Sequence, residues 1–105
     1  MEEQVTPDFI DIGERHLAMW VRGHGLPTVV IEVGMGGTGS EFDAIARQVA
    51  TFTHVVWYDR AGLGKSDPAP SPRSILDIVS DLHRLLHITD ITGPFIFAGH
   101  SLGGQ

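Results

Sequence analysis

The chain has 105 residues, 42% of them hydrophobic, with 13 acidic and 7 basic side chains and a net charge of −6. That length allows one domain, and the composition is that of a folded chain rather than a disordered one. The acidic balance argues against nucleic acid or an anionic membrane surface as the main partner. The absence of cysteine excludes disulfides, thiolate chemistry and a Cys-ligated zinc site.

The first nine residues, MEEQVTPDF, are acidic and lack a basic-then-apolar targeting pattern. No apolar run approaches the ~20 residues that a membrane span needs. A cytoplasmic location is therefore expected. "FIDIG" (Phe9–Gly13) and "HLAMWVRG" (His16–Gly23) read as two short strands, with Gly13-Glu14 as a hairpin turn between them. "GHGLP" (Gly23–Pro27) is turn chemistry. "TVVIEV" (Thr28–Val33) is β-branched and apolar, the pattern of a strand buried on both faces.

A glycine-rich loop, "GMGGTGS" (Gly34–Ser40), follows. Phe42, Ile45, Ala46 and Val49 then fall at i, i+3, i+4 and i+7, one face of a helix, with Ser40 and Asp43 as its capping pair. "HVVWY" (His54–Tyr58) is a second buried strand, and Asp59–Arg73 a long loop. Ile75, Ile78, Val79, Leu82, Leu85 and Leu86 repeat the helical pattern, with Ser74 and Asp77 at its start. Gly93-Pro94 breaks the chain before a last strand, "FIFAG" (Phe95–Gly99). The order β-β, then β-α-β-α-β, predicts an α/β fold with a mostly parallel sheet covered by helices. Trp20 and Trp57 both sit in strand patterns and are expected in the core.

Gly99-His100-Ser101-Leu102-Gly103 fits G-x-S-x-G, with a strand before it and a helix expected after. A serine at the tip of a tight strand-to-helix turn has a strained backbone, and its neighbours two residues away on each side crowd together. Gly99 and Gly103 meet that need. The Leu102 N–H would lie at the positive end of the coming helix, where it could bind the oxyanion of a tetrahedral intermediate. One such donor is typically worth ~10²–10³ in rate.

These residues resemble the α/β-hydrolase fold family. "FIFAGHSLGG" is similar to the family's nucleophile elbow. "VVWYDRAGLGKSD" is similar to its strand followed by D-x-x-G-x-G-x-S, and "VVIEVGMGG" to the strand and loop that supply the other oxyanion donor. The resemblance runs from about His16 to the C-terminus. Many members carry His-Gly at the start of the oxyanion loop, where this chain has Val33-Gly34. The donor is a backbone N–H, so the side-chain change does not remove it. By position it is Met35, with Gly36 as the alternative.

The resemblance implies a serine hydrolase acting on ester or related bonds of a small-molecule acyl substrate. Ser101 would be the nucleophile, Met35 and Leu102 the oxyanion donors, and no cofactor or metal would be needed. It also implies the chain order serine, acid, histidine. Residues 1–105 are then expected to be the N-terminal part of a single domain, ending just after the elbow. The acid and the histidine would lie beyond Gln105, and the 105 residues alone would be inactive. Among the upstream histidines, His100 adjoins Ser101, but adjacent side chains at an elbow diverge. His83 and His87 lie one turn apart on a helix, an i, i+4 pair that could bind metal, but no third ligand is evident and a solvated helix face is expected.

Two other classes compete. Gly34-Met35-Gly36-Gly37-Thr38-Gly39 matches G-x-G-x-x-G between a strand and a helix, and Asp59 lies about 20 residues on, where a ribose-binding acid of a dinucleotide-binding module would be. Against this, two strands precede the motif and "AGHSLGG" is left unexplained. Gly64-Lys65-Ser66 resembles the end of a phosphate-binding loop, but Asp59 stands where that pattern needs glycine. Asp59 and Arg60 are instead expected to hold their loop together near the site mouth. The remaining class is a non-catalytic fragment, whose last strand would expose an edge prone to aggregation.

Overall fold

Side chains alternate across the strands, and this builds two separate cores on the two faces of one sheet. The computed structural model describes residues 6–32, 42–70 and 72–99. The elements are β1 (Asp8–Asp11), β2 (His16–Arg22), β3 (Thr28–Glu32), α1 (Asp43–Val49), β4 (His54–Tyr58), α2 (Ile75–Ile88) and β5 (Phe95–Gly99). The sheet order is β1-β2-β4-β3-β5. β1 pairs with β2, and β2 with β4, antiparallel. β3 pairs parallel with both β4 and β5.

On one face Ala18, Trp20, Ile31, Val55 and Trp57 pack with Phe42 and Ala46 of the α1 segment. Trp20 and Trp57 stack with ring centroids 5.9 Å apart, so both are core residues as expected. On the other face Leu17, Met19, Val56 and Tyr58 pack with Leu85 of α2. The hairpin between β1 and β2 closes where Gly13, at φ +117, donates its N–H to Asp11 Oδ1 at 2.8 Å. Gly23 is required at the end of β2: its φ is +75, and a Cβ there would come within 2.2 Å of the Thr53 carbonyl oxygen.

Ser74 and Asp77 form the capping box that their spacing predicts. The Ser74 side chain accepts from the Asp77 N–H, and the Asp77 carboxylate from the Ser74 N–H. The start of α1 differs from expectation. Ser40 lies outside the described residues, Phe42 holds the N-cap position without a side-chain cap, and Asp43 is engaged by Arg22 and Arg47.

The buried face of α2 also differs. Ile75 and Val79 are exposed, and Asp81, absent from the apolar pattern, is buried. The reason is an ion-pair network. Asp81 accepts from Arg15 Nη1 at 2.9 Å and from Arg73, so the helix turns its carboxylate inward and leaves the Ile75 edge outside. Among the described residues no helix is long and apolar enough to cross a membrane.

Candidate functional site at the carboxyl ends of the parallel strands

In open parallel sheets, ligands bind outside the carboxyl ends of the strands. Here those ends belong to β3, β4 and β5. Parallel register sets Glu32, the last residue of β3, beside both Tyr58 of β4 and Gly99 of β5. In sequence the glycine-rich run begins at Gly34, two residues after Glu32, and Ser101 comes two residues after Gly99. The two segments with the predicted chemistry thus follow neighbouring strand ends along the chain. Ser101, Leu102, Gly103, Met35 and the Gly34–Gly39 motif themselves lie outside the described residues. Gly99 closes β5.

The loop after β4 is shaped by its own motif. The Asp59 carboxylate accepts from the Lys65 N–H at 2.9 Å. Ser66 Oγ donates to the Asp59 carbonyl at 2.5 Å and accepts from the Ala18 N–H at 2.8 Å. Gly64, at φ +52, leaves the space that the Asp59 carboxylate occupies; a Cβ there would meet it at 2.1 Å. Asp67 closes the loop onto β2, accepting from the His16 N–H at 2.8 Å and donating its own N–H to the His16 carbonyl at 2.9 Å. The hydrogen bond from the His16 N–H to its carboxylate holds the Asp67 carboxyl below its ordinary range.

Asp59 is 1% exposed, so it is unavailable to a bound ribose, which removes the acidic partner that a dinucleotide site would need. Asp59 does hold the loop together, as expected. Arg60 instead reaches across to β3.

Sequence reasoning overlooked Glu32 and Tyr58. Tyr58 Oη lies 3.0 and 3.1 Å from the two Glu32 carboxylate oxygens and donates to them, and Arg60 Nε donates to Glu32 Oε2 at 3.1 Å. Burial, then the Glu32 charge, pushes the Tyr58 phenol far up, so it remains a donor across the physiological range. The available signal was a lone acid closing an apolar strand. Beside this cluster a cleft of about 230 Å³ opens between the β4 loop and α2, lined among others by Tyr58, Arg60, Leu63, Arg73 and Ile78.

The described histidines do not supply a base at these strand ends. His54 opens β4 at the opposite end of the sheet. His16 Nδ1 lies 3.3 Å from Asp67, but β2 is separated from β5 by two strands, about 14 Å of sheet. His83 and His87 are exposed, with rings 6.4 Å apart, and among the described residues no group of three or more His, Asp or Glu side chains could hold a metal.

No protein-family model matches the chain. It is 32% identical over 92 residues to the carbamate hydrolase RutD of Azorhizobium caulinodans, covering 88% of this chain and 34% of that protein. It is 36% identical over 78 residues to an AB hydrolase superfamily protein of Gibberella zeae, covering 73% and 24%. A third relative, "Probable transporter efuK" of Hormonema carpetanum, is 34% identical over 101 residues, covering 90% of this chain and 14% of that one. A solved hydrolase from Pseudomonas aeruginosa superimposes with a TM-score of 0.82 at 26% identity, over 93% of this chain and 37% of that one. The chain thus spans between 14% and 37% of the length of these proteins. With its strand order, its D-x-x-G-x-G-x-S loop and these relatives, the chain belongs to the α/β-hydrolase fold family.

Proposed function

We propose that the protein carrying this chain is a serine hydrolase that cleaves ester or related acyl bonds of a small molecule. Ser101 attacks the carbonyl carbon, and a histidine beyond Gln105, oriented by an acid also beyond it, takes the hydroxyl proton. The N–H groups of Met35 and Leu102 hold the oxyanion. Collapse of the tetrahedral intermediate expels the leaving group, which receives the proton, and water then releases the acyl group from Ser101 by the reverse sequence. By this reading the 105 residues hold the nucleophile and both oxyanion donors without the base, and are inactive by themselves.

The observation that carries the reading is the Glu32–Gly99 register: in sequence Met35 comes three residues after the first and Ser101 two residues after the second, on adjacent strands. The relatives named as hydrolases support it. Hydrolysis of p-nitrophenyl acetate by the whole protein tests it. Ser101→Ala is expected to remove the turnover, by about 10⁴-fold or more; a Ser101→Ala protein that hydrolyses the ester at the wild-type rate rejects the reading.

A further inference from the structure

Across β3, β4 and β5 the fifteen residues contain a single acidic or basic side chain other than histidine, Glu32. It sits at the last position of β3, with its side chain 15% exposed and that of Arg60 13% exposed. Burying such a pair is a poor way to gain stability: desolvation offsets most of the attraction, and two apolar side chains in the same space hold strands together at least as well. An ion pair does what apolar packing does not. Its hydrogen bonds have direction, so they fix the position of one backbone relative to another.

The partners of Glu32 are well suited to that task. Tyr58 is 1% exposed and is held in the α2-side core. Arg60 follows Asp59, whose carboxylate is locked onto the Lys65 N–H against Gly64. Glu32 is thus tied to two points, one in the core and one in a loop closed by its own hydrogen bonds. It also lies in register with Gly99.

We infer that Glu32 is a positioning residue for acyl transfer: bound by Tyr58 and Arg60, it fixes the end of β3 from which the oxyanion loop departs, opposite the end of β5 that leads to Ser101. The inference rests on the serine-hydrolase reading and adds to it the residue that sets the spacing between nucleophile and oxyanion donor. Misplacement of a reacting group by about 1 Å costs on the order of 10²-fold in rate. Loss of Glu32 should therefore lower kcat and leave KM nearly unchanged, since the substrate's other contacts remain. A glutamine keeps the acceptor oxygen and the shape, and should restore the geometry.

The test uses the whole protein, a fluorophosphonate probe and p-nitrophenyl acetate. In phosphonylation the Ser101 oxygen forms a bond to phosphorus, fluoride leaves with the P–F electron pair, and the hydroxyl proton passes to the base. Glu32→Ala is expected to slow phosphonylation and kcat about 10- to 100-fold with KM within about 3-fold, and Glu32→Gln to recover to within about 5-fold of wild type. A folded Glu32→Ala protein phosphonylated at the wild-type rate overturns the inference. So does a Glu32→Gln protein as slow as the alanine variant. Should Glu32→Ala not fold, Tyr58→Phe takes its place. Removing one donor is expected to slow the probe about 3- to 10-fold, and a wild-type rate overturns the inference. Failure of the underlying reading looks different: Ser101→Ala would then react with the probe as fast as wild type.

Discussion

Arg15, in the turn between β1 and β2, and Asp81, in the middle of α2, form a buried ion pair with Nη1 and Oδ1 2.9 Å apart and both side chains 7% exposed. Arg73 binds the other carboxylate oxygen. One acid thus joins the antiparallel hairpin, the long loop and the helix. Removing it takes the shared acid from two arginines and leaves Arg15, among the described residues, only the exposed Glu14, at 3.1 Å. Asp81→Ala is expected to destabilise the protein by about 3 kcal/mol or more. Urea denaturation of the whole protein measures this, and a loss below about 1 kcal/mol would show that the arginines find other partners.

Gly64 and Asp59 make a second prediction. At φ +52, with a carboxylate in the place of its Cβ, Gly64 tolerates no side chain without displacing Asp59. Gly64→Ala is expected to cost about 2 kcal/mol and to loosen the loop that carries Arg60. Gly62, at φ +82 but with open space around its Cβ position, should lose less in Gly62→Ala, only the backbone strain. Thermal melts of the two variants side by side check the order; a smaller loss at Gly64 contradicts this account of the loop.

Acid should weaken the fold through two exposed carboxylates. Accepting from the Ser74 N–H and, for Asp67, from the His16 N–H holds both acids below their ordinary range. A carboxyl lowered in the folded state stabilises it at pH above the unfolded value of about 4, and that stabilisation is lost as the pH falls through the lower folded value. Below about pH 4 the melting temperature is therefore expected to fall, and to fall less in Asp77→Asn. Parallel wild-type and Asp77→Asn curves between pH 7 and pH 3 would count against the capping box as a source of acid sensitivity.

β5 ends the order of the sheet, and Ile96 and Phe97 on its two faces are 53% and 58% exposed. A strand edge with apolar side chains on both faces pairs readily with another copy. Residues 1–105 expressed alone are expected to self-associate, and Phe97→Lys to reduce this. A monomeric, cooperative thermal transition of the unmodified 105 residues, seen by light scattering and calorimetry together, would refute the expectation.

Strands were legible because apolar runs bounded by Gly and Pro carry their own limits; β4 occupies the positions its pattern predicts, and β2 ends at Arg22, one residue before the expected Gly23. The capping box of α2 was legible for the same local reason. What periodicity could not show was which edge of α2 faces inward. That depends on Asp81 meeting Arg15 across 66 positions, a long-range pairing with no local signal. Glu32 escaped notice likewise. It reads as an interruption of an apolar strand, and its meaning appears only when parallel register sets it beside Tyr58 and Gly99. The D-x-x-G-x-G-x-S run was legible as a loop, and the structure adds what three of its four defined residues do: Asp59 holds Lys65, Gly64 leaves room, Ser66 binds β2.

The proposed hydrolysis depends on Ser101 as nucleophile. The intact mass of the whole protein after exposure to a fluorophosphonate, followed by mapping of the modified peptide, tests this. One adduct per chain is expected, on the peptide that contains Ser101, and none in Ser101→Ala. A protein that is folded and takes up no adduct, or carries it on another residue, would contradict it.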